Sequence, residues 1–273
     1  MTHLVSKCFA GSVAVLAVAG SAWASDMDPR ASEMMVKGGC PGCNLNLAEM
    51  RGFSLKEADF KGAKLREVDL KEAKVPNSNF RGADLRRTEA ERADFSSSDF
   101  TDAAMRAVDL EKANLTSATF EDADLRDADL NAAQLTGADL TGADLRNVTL
   151  IRAIAQNVSF EGAKMDGANL ERVDLLNANF RNARMRNVKL DRAKAINADF
   201  SGADLSGVRL VSSNLAGANL TNVNFEGALL RRTRLKGADL TGAYNLDQDR
   251  ILGACGDETT KLPYGITLEA CSY

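Results

Sequence analysis

The sequence predicts an all-β fold, a four-sided parallel β-solenoid of about ten coils with a cap at each end. Three observations lead there. A large apolar residue falls on every fifth position in unbroken register from Leu45 to Leu240. Of those 40 positions, 37 are Leu, Phe, Met or Val and the rest are Ala90, Ala155 and Ala195, so the period belongs to most of the chain rather than to one segment. Two residues before each, the side chain is Ala or Val in 33 cases, which marks a second inward position with little room. Phenylalanine adds a longer period of twenty. Phe60, Phe80, Phe100, Phe120, Phe160, Phe180 and Phe200 share one class, with Leu140 completing the run.

Each repeat follows from these spacings. On an α-helix a step of five advances the apolar position by about 140°, spreading it around the cylinder and leaving no face to bury. In a straight strand an odd period sends successive large residues to opposite sides. The unit Ala138-Asp139-Leu140-Thr141-Gly142 works as a short extended piece with Ala and Leu facing inward, followed by a two-residue corner. With the large residue at i, the inward positions are i−2 and i, the outward ones i−1, i+1 and i+2. A twenty-residue Phe period makes four such units one coil, and ten coils at strand spacing run about 48 Å.

Residues 43–242 therefore resemble the pentapeptide-repeat family. That resemblance implies a right-handed quadrilateral β-helix. It also implies a contrast in function, because some cytoplasmic members mimic duplex DNA and bind type II topoisomerases.

The flanks read differently. Residues 1–24 have the form of a secretory signal, with Lys7, an apolar run from Val13 to Ala19, and Ala22-Trp23-Ala24 as a cleavage site before Ser25. The run is too short to span a bilayer, and the expected location is periplasmic or secreted. Cleavage would remove His3 and Trp23, the sole His and Trp, leaving no imidazole for a triad, a neutral general base or a metal site. No cofactor is expected. Residues 25–42 are expected to cap the first coil and 243–273, with Leu246, Ile251, Leu252 and Leu262 among polar residues, to cap the last and to contain a short helix.

Four cysteines would remain, an even number suited to an oxidising compartment. Cys40 and Cys43 precede the first coil, while Cys255 and Cys271 follow the last. A solenoid about 48 Å long keeps the pairs apart, so Cys40 pairs with Cys43 and Cys255 with Cys271. The Cys40-Pro41-Gly42-Cys43 spacing also fits a redox motif or half a zinc site, but it lacks a βαβ context and further ligands nearby.

Any function must lie on the outward positions. At i+1 on one face run Arg66, Arg86, Arg106, Arg126, Arg146 and Arg186, broken by Asp166. At i+2 on the next run Arg92, Lys112, Arg152, Arg172, Arg192 and Arg232. Such rows could meet an extended polyanion. Neighbouring carboxylates such as Asp84, Asp124, Asp144, Glu91, Glu111, Glu171 and Asp191, with a net charge of −4, argue instead for an ion-paired surface and against nucleic acid. Asp59, Asp99, Asp139, Asp199 and Asp239, interleaved with Asn79, Asn179 and Asn219, are expected to bond nearby backbone at the corners.

Ile151, Ile154, Leu176 and Ile196 break the polar pattern. Either they form an exposed patch for a partner, or the wall bulges so that Ile154 and Ile196 fill space left by Ala155 and Ala195. Together these features describe an exported, non-enzymatic scaffold or protein-interaction module. Its partner is a protein, or a second copy meeting it through an end coil or the Ile/Leu patch. The alternative is a DNA-mimic binder of a type II topoisomerase, which would require a cytoplasmic chain and a strongly acidic face.

Overall fold

A hydrogen bond between coils recurs at each repeat and sets the architecture. In the computed structural model, which describes Asp28 and residues 34–271, every i−1 residue from Asp59 to Asn224 is bridged in parallel to residues twenty positions before and after it. The register is constant: Leu45 N–H donates to Lys64 O at 2.8 Å, and Lys64 N–H returns to Cys43 O at 2.8 Å. The chain is a right-handed quadrilateral β-helix with four five-residue sides per coil.

The corners explain why the step is five. Every i+2 residue from Leu47 to Gly242 has a positive φ, between 55° and 72°. The amide of residue i+3 commonly donates back to the carbonyl of i, as from Ala48 to Leu45 at 3.0 Å, giving the type II turn pattern. Glycine suits this position, yet Glu57, Arg87, Lys112 and many others adopt it too. An L-residue there costs about 1–2 kcal/mol. The cost is offset because the same amide donates to the next coil, as from Arg87 to Arg106 O at 3.1 Å.

Inside, the residues at i−2 and i form the core, and Ala90, Ala155 and Ala195 keep the inward register despite their size. Phe60, Phe80, Phe100 and Phe120 stack with centroid distances of 5.1, 4.8 and 4.9 Å. Phe160, Phe180 and Phe200 continue beyond Leu140 at 4.8 and 4.7 Å. The spacing of the rings is the spacing of the coils, so the aromatic column and the backbone ladder reinforce each other. Phe95 meets Phe80 and Phe100 edge-on. Phe53 puts a large ring at an i−2 position, fully buried, and Leu55 beside it is only partly buried.

Hydroxyl residues at i−2 are the other departure from Ala and Val. Thr88, Ser98, Ser213 and Thr233 each donate to a carbonyl of the preceding coil, as from Ser98 to Val75 O at 3.0 Å and from Thr233 to Leu210 O at 2.7 Å. A small polar group is tolerated in the wall because a backbone acceptor lies within reach.

The N-terminal end begins with a helical turn at 34–37, whose Met34 is buried, and with Gly39, which bridges to Asp59. At Gly39 (φ 127°) a Cβ would lie 2.5 Å from Asp59 N, so no other residue fits without displacing the strand. At the other end, coil pairing continues past 242: Arg234 bridges Cys255 and Asp239 bridges Lys261, one and two residues beyond the regular step. The expected helix is a single 3-10 turn, Gln248–Arg250, because Leu230 N–H takes Arg250 O and holds the segment to the wall. Strands β1 (Cys255–Gly256) and β2 (Glu269–Ala270) then pair in parallel. The signal-like segment lies outside the described residues. Among the described residues no helix is long and apolar enough to cross a membrane.

Phe100→Ala removes two stacked contacts and one edge contact and should lower unfolding stability by about 3–5 kcal/mol in denaturant titration. Phe100→Leu should lose less, since Leu140 already occupies the same column. Gly39→Ala should speed hydrogen exchange at the Asp59 amide, which donates to Gly38 O, while leaving central coils protected.

Candidate interaction surface

Corner chemistry decides where the polar side chains point. An Asp or Asn at i−1 typically accepts from the amide two residues on, as Asp59 does from Lys61 at 3.1 Å, Asp139 from Thr141 at 3.0 Å and Asp199 from Ser201 at 2.9 Å. Asn79, Asn179 and Asn219 do the same for Arg81, Arg181 and Thr221. The carboxylate ladder along the Phe face is thus engaged by its own backbone. Among the described residues there is no metal-binding cluster of His, Cys, Asp or Glu.

The first arginine row is largely ion-paired along the wall. Arg86, Arg126 and Arg146 reach back to Asp84, Asp124 and Asp144 at 2.5, 2.6 and 2.7 Å. Arg106 takes Asp127 at 3.0 Å and Arg186 takes Asp204 at 2.6 Å. The guanidinium groups of Arg86 and Arg126 hold Asp84 and Asp124 below the ordinary carboxylate range. Burial pushes Asp144 up, but hydrogen bonds from Arg146 outweigh it and the net shift is downward. Asp166, the break in the row, is held by Arg184 at 2.5 Å. Arg66 has no carboxylate within 4 Å among the described residues, and with Arg86, Arg87, Arg106 and Asp127 it lines a groove of about 310 Å³.

The second row departs from expectation. Only Lys112 pairs with the acid immediately before it, Glu111, at 2.5 Å. Glu91 instead meets Lys71 at 3.8 Å, and Asp191 meets Arg209 at 3.0 Å. The reason is the corner: residues i+1 and i+2 are consecutive positions of a turn and point apart, whereas i+1 lies beside i−1 of the adjoining coil. Sequence adjacency gave the wrong partner. The signal that finds the right one is a separation of 18 or 20 residues.

The apolar residues lie outward. Ile154 is 44% exposed and Ala155 beside it is fully buried, so the wall keeps its register and does not bulge. Its backbone bonds are ordinary, with Ile154 N–H to Ala133 O at 2.9 Å. Leu176 and Ile196 are half-buried at the following corner of the same face, and Ile151 is half-buried at the corner before. Asn177 donates to Asn157 at 3.0 Å and Asn197 to Asn177 at 3.4 Å, a side-chain ladder beside Leu176 and Ile196.

At the ends, Cys40 is bonded to Cys43 and Cys255 to Cys271. The second bridge ties the residue just after β2 to the first residue of β1, 16 positions apart. A neighbouring cleft of about 650 Å³ is lined by Arg234, Lys236, Asp257 and Glu269, among others.

The pentapeptide repeats family model matches this chain in eight copies that run from residue 42 to residue 244. The chain belongs to the pentapeptide repeat family. Solved structures of other pentapeptide repeat proteins are similar to it. HetL from the cyanobacterium Nostoc sp. strain PCC 7120, involved in heterocyst differentiation regulation, is 27% identical over 73% of this chain and 87% of its own, with a TM-score of 0.34. QnrB1, a plasmid-mediated fluoroquinolone resistance protein, is 18% identical over 79% of this chain and 92% of its own, with a TM-score of 0.33. A pentapeptide repeat protein of the Arabidopsis thaliana thylakoid lumen is 33% identical over 41% of this chain and 70% of its own, with a TM-score of 0.24. No curated protein sequence matches the chain.

The C-terminal tail offers a titration test. Lys261 donates to Asp239 at 2.7 Å, and with help from Thr241 this lowers the Asp239 pKa to about 2. The depressed folded value makes the contact stabilising above the ordinary carboxylate pKa of about 4. That contribution is lost as pH falls through about 2. Lys261→Met should return the Asp239 carboxyl toward its ordinary value in an NMR titration, and an unchanged midpoint would contradict the contact.

Proposed function

We propose that this pentapeptide repeat protein is an exported, non-enzymatic scaffold that binds a protein partner through the wall carrying Ile154, Leu176 and Ile196. The observation that carries this reading is the exposure of Ile154 beside a core that does not need it. A branched apolar side chain held out on a rigid wall gains free energy when a partner covers it. The asparagine ladder through Asn157, Asn177 and Asn197 supports a fixed surface, because successive side chains lock one another along the corner.

Export is supported by the signal-like pattern of residues 1–24 and by the even set of cysteines flanking the repeats. The non-enzymatic reading is supported by the engagement of outward carboxylates with corner amides and arginines, which leaves little acid–base chemistry unassigned.

Cell fractionation and N-terminal sequencing of the native chain should find it outside the cytoplasm, starting at Ser25; a cytoplasmic chain beginning at Met1 would overturn export. Ile154→Asp should change unfolding stability by no more than about 0.5 kcal/mol, as for an exposed site. The same variant should abolish a cross-link formed in cells from a photoreactive residue at position 176. Persistence of that cross-link would remove the patch from the binding surface.

A further inference from the structure

The outward row on the wall carrying Leu70, Leu110 and Leu150 changes sign along the axis. Its i−1 residues, each bridged to the next, are Glu49, Asp69, Glu89, Asp109 and Asp129, then the neutral Thr149 and Asn169, then Lys189 and Arg209. All are half-buried or exposed. Like charges therefore sit one coil apart, about 4.8 Å, at both ends of the row.

The monomer leaves the middle of this row uncompensated. Asp129 accepts from the Asn131 amide at 2.8 Å and the Thr149 hydroxyl at 3.2 Å. No cation lies within 4 Å of Asp109 or Asp129, and no carboxylate within 4 Å of Lys189, among the described residues. Burial raises the Asp109 pKa, and the charges of Glu91 and Asp129 add to the rise. Arg209 does have a partner, Asp191 at 3.0 Å.

From Asp109 to Arg209 the sequence of charges is its own complement when reversed; the next pair outward, Glu89 and the apolar Leu229, is not. A two-fold axis between Thr149 and Asn169 places Asp129 opposite Lys189, Asp109 opposite Arg209, and Thr149 opposite Asn169. We propose that two copies of this chain associate side by side and antiparallel through this wall, with the Asp129–Lys189 contacts fixing the register. A two-fold interface must match its own surface, and a row that inverts its sign about a neutral centre does so. A parallel arrangement in register would instead set each charge against itself. Along the adjoining corner the same axis brings Arg126 near Arg186, and each already holds its own carboxylate, Asp124 and Asp204. This wall is distinct from the one bearing Ile154, so a dimer leaves the proposed partner patch open.

Charge reversal tests the register. Sedimentation velocity of the full mature chain at low salt should show a dimer that weakens at high salt, as expected for desolvated and rim charges. Asp129→Lys and Lys189→Asp should each lower dimer affinity at least about tenfold while the circular dichroism spectrum is unchanged. Mixing the two variants should restore dimers, because each copy then supplies the charge the other lacks. Thr149→Cys mixed with Asn169→Cys should form an intermolecular disulfide under mild oxidation. A chain that stays monomeric at every concentration would overturn the proposal. So would a dimer indifferent to both reversals, which would indicate stacking through the end coils, or failure of the mixture to recover.

Discussion

The corner at i+2 is the constraint on which the rest of the structure depends. One residue in five must take a left-handed backbone conformation, and the chain accepts this at arginine, glutamate and lysine as well as at glycine. Such conformations persist where surrounding bonds over-determine them. Here the amide of the strained residue is tied to the next coil, as from Lys112 to Asn131 O at 2.9 Å, so leaving the left-handed basin would break the ladder. Strain is spread evenly along the molecule, and neighbouring coils hold it in place.

Identical corners stack identical positions, and this produces the columns. Rings stack on rings at the coil spacing, asparagines on asparagines, and charges on charges. For apolar side chains this repetition is favourable at every step. For charges it is unfavourable unless partners are supplied from an adjoining row, and the chain supplies them unevenly. The first arginine row has Asp84, Asp124 and Asp144 beside it, whereas Asp109 and Asp129, at the middle of their row, have no cation within 4 Å among the described residues. Surface electrostatics in this fold are a problem of matching columns, and an unmatched column has a meaning that an unmatched single residue on a globular surface does not.

Much of this was legible in the sequence. The core was, because a period of five with small and large inward positions admits few geometries, and the Phe period of twenty sets the coil length. The cysteine pairings followed from distance along the axis. The pairing of the acids beside the second basic row was not legible, since Glu91, Glu111, Glu171 and Asp191 look like neighbours of the basic residues after them, yet among the described residues only Lys112 of that row has a carboxylate within 4 Å, while Glu91 meets Lys71 and Asp191 meets Arg209. The choice between a bulge and a patch at Ile154 also stayed open, because Ala155 and Ala195 made cavity filling as reasonable as exposure. Phe53 at an i−2 position gave no warning that Leu55 would yield space to it.

The sequence by itself determined the repeat, the coil length, the aromatic column and the family to which the chain belongs, because each depends only on which residues share a class at steps of five and twenty. The tertiary structure decided which arginines meet an acid and which acid that is, whether Ile154 faces water, and how the tail continues the last coil through Cys255 and Lys261. Those outcomes depend on the direction a side chain takes from a corner and on contacts between coils. They are set by three-dimensional neighbours that linear adjacency does not reveal.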